Sequence, residues 1–283
     1  MTYDLNRSAL SMPAEVSNDI LAAAVESSAV MQLARRIDLP GTGAQVNTIL
    51  GEPTAAWVGE TDLKPVSNSN INKKVMTAYK VAVIETVSKE LARDARALYE
   101  ELRRRLPYSI GAAFDKTVFG AINAPGANFD QLSTADAITL DTGDNIYNAL
   151  VKAYGAVAEE GYTMNGAILA PAGSAAIIGA TDDNNRPYDR HWLEDNFGSK
   201  FVNTTHAMAS GIIGFAGDWN QALYGVVNGI ELEISTEATL TVGSGNDTEM
   251  ISMFQNNMIA IKCEAELGFV ANTDAFAKLP ALS

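Results

Sequence analysis

Histidine and cysteine, the side chains that most often carry catalysis or bind metals, are rare in this chain. The sequence has two histidines, His191 and His206, and one cysteine, Cys263. Neither histidine belongs to a metal-binding spacing such as His-Glu-x-x-His, and we expect His191 to be solvated or packed in a loop. Cys263 has no second thiol and lies in an apolar strand pattern, which predicts a buried structural thiol.

Glycine-rich and acidic stretches give no stronger sign of chemistry. Residues 243–246 read Gly-Ser-Gly-Asn, but no third glycine and no helix follow, so they predict a turn rather than a phosphate-binding loop. Residues 182–185 are rich in oxygen ligands, yet Arg186 follows and no glycine comes next, which excludes an EF-hand Ca²⁺ loop. We therefore predict that the chain is not an enzyme and has no catalytic residue, no cofactor and no metal site.

Length and composition predict a soluble protein with a large core. The chain has 283 residues, of which 47% are hydrophobic and 19% are charged. It has no run of about 18 apolar residues that could span a membrane, and its start lacks a signal-peptide pattern. A single cysteine excludes an internal disulfide framework and fits a reducing compartment. We therefore expect a protein made and folded in a cytoplasm.

The net charge of -14 is unevenly distributed along the chain. Residues 1–122 hold 14 Lys/Arg and 14 Asp/Glu, whereas residues 123–283 hold 6 Lys/Arg and 20 Asp/Glu. This shift predicts at least two structural regions. It also excludes tight nucleic-acid binding by the second half, because such binding needs Lys/Arg contacts to phosphates.

The first half predicts a weak helix, a long hairpin and a strong helix. Residues 13–36 favour a short, weakly apolar helix that needs a larger surface to pack on. Residues 44–58 and 75–87 predict the two strands of a hairpin whose polar tip, residues 61–74, has little to bury. Such a hairpin needs a partner surface, although an ordinary flexible surface loop is the alternative. Residues 88–122 predict a helix, with a kink or restart at Pro107.

The second half alternates helix and strand patterns. Helices are predicted from Asp144 to Gly161 and over residues 171–180, and a buried strand over residues 167–169. Residues 181–205 predict a polar loop. Further strands are predicted around residues 230–235 and 258–270. The fold class is therefore α+β.

Several segments together resemble the major capsid protein family of tailed bacteriophages, which has the Hong Kong 97-type fold. They occur in the family's order and cover residues 12–279: Met12-Pro13-Ala14-Glu15-Val16-Ser17 with Ile20, Ala56-Trp57-Val58-Gly59-Glu60, Val87-Ser88-Lys89-Glu90-Leu91, Asp115 with Gly120, residues 182–187, Gly217-Asp218-Trp219, and Asp274-Ala275-Phe276 with Leu279. Each motif is weak alone, but their order is fairly specific.

The resemblance implies an α+β Hong Kong 97-type fold with a defined domain order. The expected regions are an N-terminal arm (1–43), an extended β-hairpin loop (44–87), a peripheral domain with a long spine helix (88–130), an axial domain (131–228), and peripheral-domain strands with the C-terminus (229–283).

The resemblance also implies a function and partners. The expected function is that of a major capsid protein whose pentamers and hexamers form an icosahedral shell around double-stranded DNA. Its partners would be other copies of the chain, a portal and a separate scaffolding protein. It would be assembled in the bacterial cytoplasm, located in the virion and independent of membranes. The suspected assembly residues are Val16, Ile20, Trp57, Glu60, Lys64, Lys73, Lys74 and Arg186.

Two family features and two other functions remain open at this stage. The arm motif begins near residue 12, so scaffolding would come from a separate protein, be dispensed with, or have been trimmed away. A lysine–asparagine cross-link is not assigned, because solvated lysines at the hairpin tip are the simpler interpretation. The alternative functions are a shell protein of a bacterial nanocompartment and, from another class, a hydrolase that uses acidic residues.

Overall fold

The computed structural model describes residues 22, 24–39, 45–50, 57–58, 64, 72–94, 96–141, 143–181, 186, 188, 190–244 and 247–282. The helices of this part of the chain are α1 (Ala29–Leu33), α2 (Lys89–Asp94), α3 (Arg96–Val118), α4 (Ile146–Glu159), α5 (Pro171–Gly179) and α6 (Arg190–Phe197). The strands are β1 (Arg35–Leu39), β2 (Gln45–Leu50), β3 (Asn72–Thr77), β4 (Tyr79–Ser88), β5 (Asp136–Ala137), β6 (Gly166–Leu169), β7 (Lys200–Asn203), β8 (Ile212–Gly217), β9 (Ala222–Ser235), β10 (Thr239–Ser244), β11 (Asp247–Ser252), β12 (Met258–Ala271) and β13 (Phe276–Pro280).

The strands form two larger sheets and two hairpins. One sheet has the order β1-β9-β12-β4, the other the order β5-β13-β8-β6-β7, and β2-β3 and β10-β11 are two-stranded. The chain divides into two compact units. The first contains Met1–Ser27, Lys80–Ala113 and Asn228–Glu266, and the second contains Ser28–Tyr79, Phe114–Val227 and Leu267–Ser283.

The second unit contains the five-stranded sheet and the helices that cover it. All four residues of β6 are buried, and this strand pairs with β7 in parallel and with β8 in antiparallel. Helix α4 begins after Asn145, whose side-chain oxygen accepts a hydrogen bond from the amide of Asn148 at 3.0 Å. Its apolar side chains recur every three or four residues and join the core beside the sheet; they are Ile146, Ala149, Leu150, Ala153 and Val157.

In the first unit, one face of β12 is buried and the other carries charges. Ile261, Cys263 and Ala265 are buried, whereas Lys262, with 35% of its side chain exposed, and Glu264, with 18%, lie on the opposite face. This alternation follows from the period of two along a strand. Helix α2 begins beside Ser88, whose hydroxyl accepts a hydrogen bond from the amide of Leu91 at 3.1 Å, as its cap position predicts.

Two sequence-based expectations about elements are wrong. Residues 75–87 do not form one strand, because β3 and β4 lie on either side of Ala78 and belong to different sheets. The polar segment 181–205 is not a continuous loop, because it contains α6 and β7. Of the kink or restart expected at Pro107, the restart does not occur, because α3 continues through this residue to Val118. Among the described helices, none combines the length and apolar composition needed to cross a bilayer.

Candidate assembly surfaces

The hairpin predicted from alternation is present, with a shorter and earlier second strand than expected. β2 pairs antiparallel with β3 from Gln45 opposite Thr77 to Leu50 opposite Asn72. Lys73 and Lys74, expected at the polar tip, therefore belong to the paired strand β3.

Lys74 holds the root of this hairpin through charged contacts. Its ammonium group donates to Asp130 Oδ2 at 2.8 Å and to the Ala271 carbonyl at 2.7 Å. The same Asp130 oxygen accepts the Ala271 amide at 3.0 Å. The expectation that Lys74 is a solvated lysine is wrong, because 31% of its side chain is exposed and the charge is paired.

Apolar packing also fixes the root. Met76 is fully buried in a cluster with Leu39, Leu223, Val227 and Val270. Glycines make room for it: a Cβ at Gly225 would come within 2.5 Å of the Met76 sulfur, and one at Gly268 within 2.9 Å of its Cγ. A substitution at either glycine would therefore displace Met76.

In contrast to Met76, Trp57 is a large apolar side chain that is exposed to solvent in its own subunit. Its exposed fraction is 105%, and that of the neighbouring Val58 is 38%. By contrast, Trp219 is 2% exposed and packs edge-to-face on Phe276. Large aromatic side chains are normally mostly buried in a folded domain, so the exposure of Trp57 identifies a surface that another molecule can cover.

The remaining residues predicted at assembly interfaces are only partly described. Lys64 and Arg186 are exposed. Lys73 has a described backbone in β3, but its side chain lies outside the described residues. Val16, Ile20 and Glu60 also lie outside the described residues.

A buried carboxylate that sequence reasoning missed anchors helix α1. Asp115 is fully buried and accepts hydrogen bonds from Ser28 Oγ at 2.5 Å and from the amides of Ala29 at 2.8 Å and Val30 at 3.3 Å. His206 Nδ1 lies 2.8 Å from its second oxygen. A carboxylate can only accept hydrogen bonds, so His206 donates from Nδ1. Two features of the sequence could have indicated this cluster: Asp115 fits the far end of the family's long helix, and histidine is rare in the chain.

The residue types that most often bind metals do not cluster in the part of the chain that the structure describes. No three His, Cys, Asp or Glu side chains among them form a group that could hold a metal ion. His191 lies on α6 rather than in the predicted loop, with its Nδ1 3.7 Å from Glu194 Oε2. Burial raises the pKa of the Cys263 thiol to about 12, which keeps it protonated and unreactive at neutral pH.

Arg105, on α3, forms an ion pair typical of an exposed helix face. Arg105 Nε lies 2.8 Å from Glu101 Oε1, one helical turn away, and 75% of the Arg105 side chain is exposed. Such a pair contributes little free energy and marks an ordinary exposed surface.

Comparison with known proteins points to one class. The chain is 27% identical to the probable major capsid protein gp17 of Mycobacterium phage L5, over 94% of this chain and 87% of that protein. It is 24% identical to the major capsid protein of Staphylococcus phage 80alpha, over 94% of this chain and 83% of that protein. Among solved structures, a Mycobacterium phage Adephagia chain superposes with a TM-score of 0.71 at 20% identity, over 90% of this chain and 91% of the other.

These likenesses confirm the expected fold class and family. The mixed arrangement of helices and sheets is that of phage capsid structures of the Hong Kong 97 type. The model of the phage capsid family matches residues 9–280, nearly the whole chain. That family is one of structural proteins, in keeping with the lack of catalytic motifs in the sequence. The chain therefore belongs to the phage capsid family, and its function is that of a major capsid protein.

Proposed function

We propose that this capsid protein assembles into pentamers and hexamers that close into an icosahedral shell around double-stranded DNA. The observation that carries the proposal is the family match over residues 9–280, which covers the predicted arm, hairpin and both units. One structure of similar fold is the capsid of an empty GTA particle computed with C5 symmetry, at a TM-score of 0.59 and 13% identity. Fivefold symmetry is that of a pentamer, and closed rings are a usual outcome of heterologous contacts.

The proposed regions have distinct roles in this assembly. The arm (1–43) and the extended hairpin loop (44–87) would reach neighbouring subunits. The regions 88–130 and 229–283 would form the peripheral domain, with α3 as its spine helix, and the region 131–228 would form the axial domain. The exposed Trp57 and the anchored root of the hairpin support this arrangement, because a fixed root with an exposed residue beyond its paired strands can present that residue to a neighbour.

The proposed contact set comprises the residues predicted from sequence, with Lys74 in a changed role. Because Lys74 is bound at the root of the hairpin, we assign it to holding the hairpin in place. The intersubunit contacts would come from Val16, Ile20, Trp57, Glu60, Lys64, Lys73 and Arg186.

The proposed partners follow from assembly and charge. A portal and a separate scaffolding protein would direct closure in the host cytoplasm. DNA would be enclosed without tight binding, because the net charge of -14 is carried entirely by residues 123–283 and an acidic or weakly basic wall holds few phosphates.

Size-exclusion chromatography with light scattering tests the proposal on the purified full chain. We expect capsomers or shells whose mass rises with protein concentration. A chain that stays monomeric at high concentration over a wide range of salt and pH would contradict it. Particles that enclose protein cargo and no DNA after phage infection would favour a nanocompartment instead.

A further inference from the structure

The first unit carries a small apolar pocket on the partly exposed face of its sheet. The cavity has a volume of about 180 Å³ and its wall comes from four strands and the turn after β9. It is lined by Ile84, Glu233, Ser235, Ala238, Leu240, Ala260 and Lys262. An apolar cavity of roughly 150 Å³ is large enough for a benzene ring, so this pocket can receive an aromatic ring.

The apolar wall of the pocket is incompletely covered in the single subunit. Ile84 is 47% exposed, although its neighbour across the pocket, Ala260, is 5% exposed. An aromatic side chain seated here would cover Ile84 and lose about 150–250 Å² of its own surface to burial. Burial of apolar surface would therefore stabilise a ring that enters this pocket, and this burial does not occur in the isolated chain.

Charge at the rim of the pocket also favours an aromatic ring. Lys262 Nζ lies 2.7 Å from Glu233 Oε2, and this hydrogen bond raises the pKa of Lys262. The ammonium group is therefore held beside the apolar wall, where it balances the charge of Glu233 in the wall and also lies 3.5 Å from Glu264. Ammonium groups attract the face of an aromatic ring, and tryptophan gives the strongest attraction.

A second cavity, in the second unit, does not suit the same ligand. It has a volume of about 250 Å³ and is lined by four acidic residues, Asp136, Glu159, Glu160 and Asp274, with no Lys or Arg in its wall. Carboxylates repel the negative face of an aromatic ring. Of these two cavities, only the pocket beside Ile84 and Lys262 combines an apolar wall with a cation, and its one carboxylate, Glu233, is bound by that cation.

We propose that Trp57 of one subunit inserts into the pocket formed by Ile84, Ala260 and Lys262 of a second copy of the chain. Trp57 is fully exposed in the single subunit, so its ring can enter a pocket on another copy. This inference rests on the proposed function, since it names the surface that receives the hairpin residue in the shell. The contact is heterologous, with a different surface on each copy, which permits closed rings.

Cross-linking between two different variants tests the contact directly. Shells are co-assembled from a majority of wild-type chains with smaller amounts of Trp57→Cys and Ile84→Cys chains, and are then treated with a short bis-maleimide that joins two thiols. We expect a covalent dimer whose linking peptide contains positions 57 and 84, because an inserted side chain holds the two backbones farther apart than a disulfide spans but within reach of this linker. Cys263 gives no background, because it is buried and its pKa is about 12.

A matched control uses Ile178→Cys in place of Ile84→Cys. Ile178 is 79% exposed on α5, so a cysteine there is at least as accessible to the cross-linker but does not line the pocket. Dimers from the 57/84 mixture and none from the 57/178 mixture support the proposal. Intact shells without the 57–84 link overturn it, whereas wild-type chains that form no shells overturn the proposed function instead.

The concentration needed for assembly gives a second measurement. A buried tryptophan at the centre of an interface is a typical hot spot, so Trp57→Ala should raise the minimum concentration for shell formation at least about tenfold. Trp57→Phe should restore most of this loss, because it keeps a ring for the pocket. Equal thresholds for Trp57→Ala and the wild type would overturn the proposal.

Discussion

At the scale of single residues, Asp115 connects several groups through one buried carboxylate. Its carboxylate is fully buried and is bound by Ser28, by the amides of Ala29 and Val30, and by His206. Removing it would leave these buried donors without an acceptor, and unsatisfied buried groups are costly. The buried thiol of Cys263 was predictable from its apolar strand, but the Asp115 cluster was not, because Asp115 contacts residues that are 85 to 91 positions away in sequence.

Asp115→Ala should lower the free energy of unfolding by at least about 1–3 kcal/mol, the cost of leaving a buried donor unsatisfied, because several buried donors lose their acceptor together. Urea denaturation of the dissociated subunit measures this change. The control is Asp195→Ala, which removes an exposed aspartate from α6 and should change the value by less than about 0.5 kcal/mol. Similar losses from both variants would show that the Asp115 contacts do not stabilise the fold.

Cys263 should resist alkylation in the native protein at pH 8 and react readily in urea. Burial raises its pKa from 9.0 to about 12, so the folded thiol stays protonated where the unfolded thiol begins to ionise. The folded pKa is the higher one, so this group's contribution to stability is fully present below pH 9 and is lost as the pH rises toward about 12. Mass spectrometry after iodoacetamide treatment measures the labelling, and equal native and unfolded rates would contradict the assignment.

At the scale of elements, the hairpin β2–β3 combines a fixed root with an exposed residue beyond its paired strands. A period-2 pattern correctly predicts extended backbone over residues 75–87, but it cannot show that the chain changes sheets at Ala78, because partner choice depends on distant strands. Likewise, α6 and β7 are short and follow a polar stretch, so neither offers a periodic pattern long enough to recognise. Longer elements such as α4 and β12 were predictable because their apolar residues recur over several helical turns or several two-residue repeats of a strand.

Lys74→Met should loosen the hairpin root by about 1 kcal/mol, a charged hydrogen-bond contribution reduced for partial exposure. Hydrogen exchange of the β3 amides should be faster in this variant. Lys80→Met is the matched control, because Lys80 is 50% exposed and its nearest carboxylate oxygen is 3.4 Å away. Unchanged β3 protection in Lys74→Met would argue against an anchoring role.

Replacing residues 51–71 by a short turn should leave a folded subunit that forms capsomers but no stable shells. The deletion keeps every paired residue of β2 and β3 and removes Trp57. Circular dichroism checks folding, and electron microscopy checks assembly. Loss of the folded signal would mean that this segment stabilises the subunit itself, and normal shells would mean that it is dispensable.

At the scale of the whole molecule, charge should control assembly. The 20 acidic residues in positions 123–283 against 6 basic ones would be crowded together around capsomer axes. Raising the ionic strength from about 0.01 M to about 0.15 M shortens the screening length from roughly 30 Å to 8 Å, so the concentration needed for shells should fall. Light scattering over a salt series measures this concentration. A concentration that does not change with salt would contradict the crowding of these acidic residues around capsomer axes.

Cryo-electron microscopy of particles assembled from the full chain tests the central claim most directly. The account predicts closed shells in which this subunit surrounds both fivefold and sixfold positions, with the hairpin of one copy lying on its neighbour. Open aggregates, or a discrete oligomer without fivefold rings, would contradict the assignment of the chain as an icosahedral shell subunit.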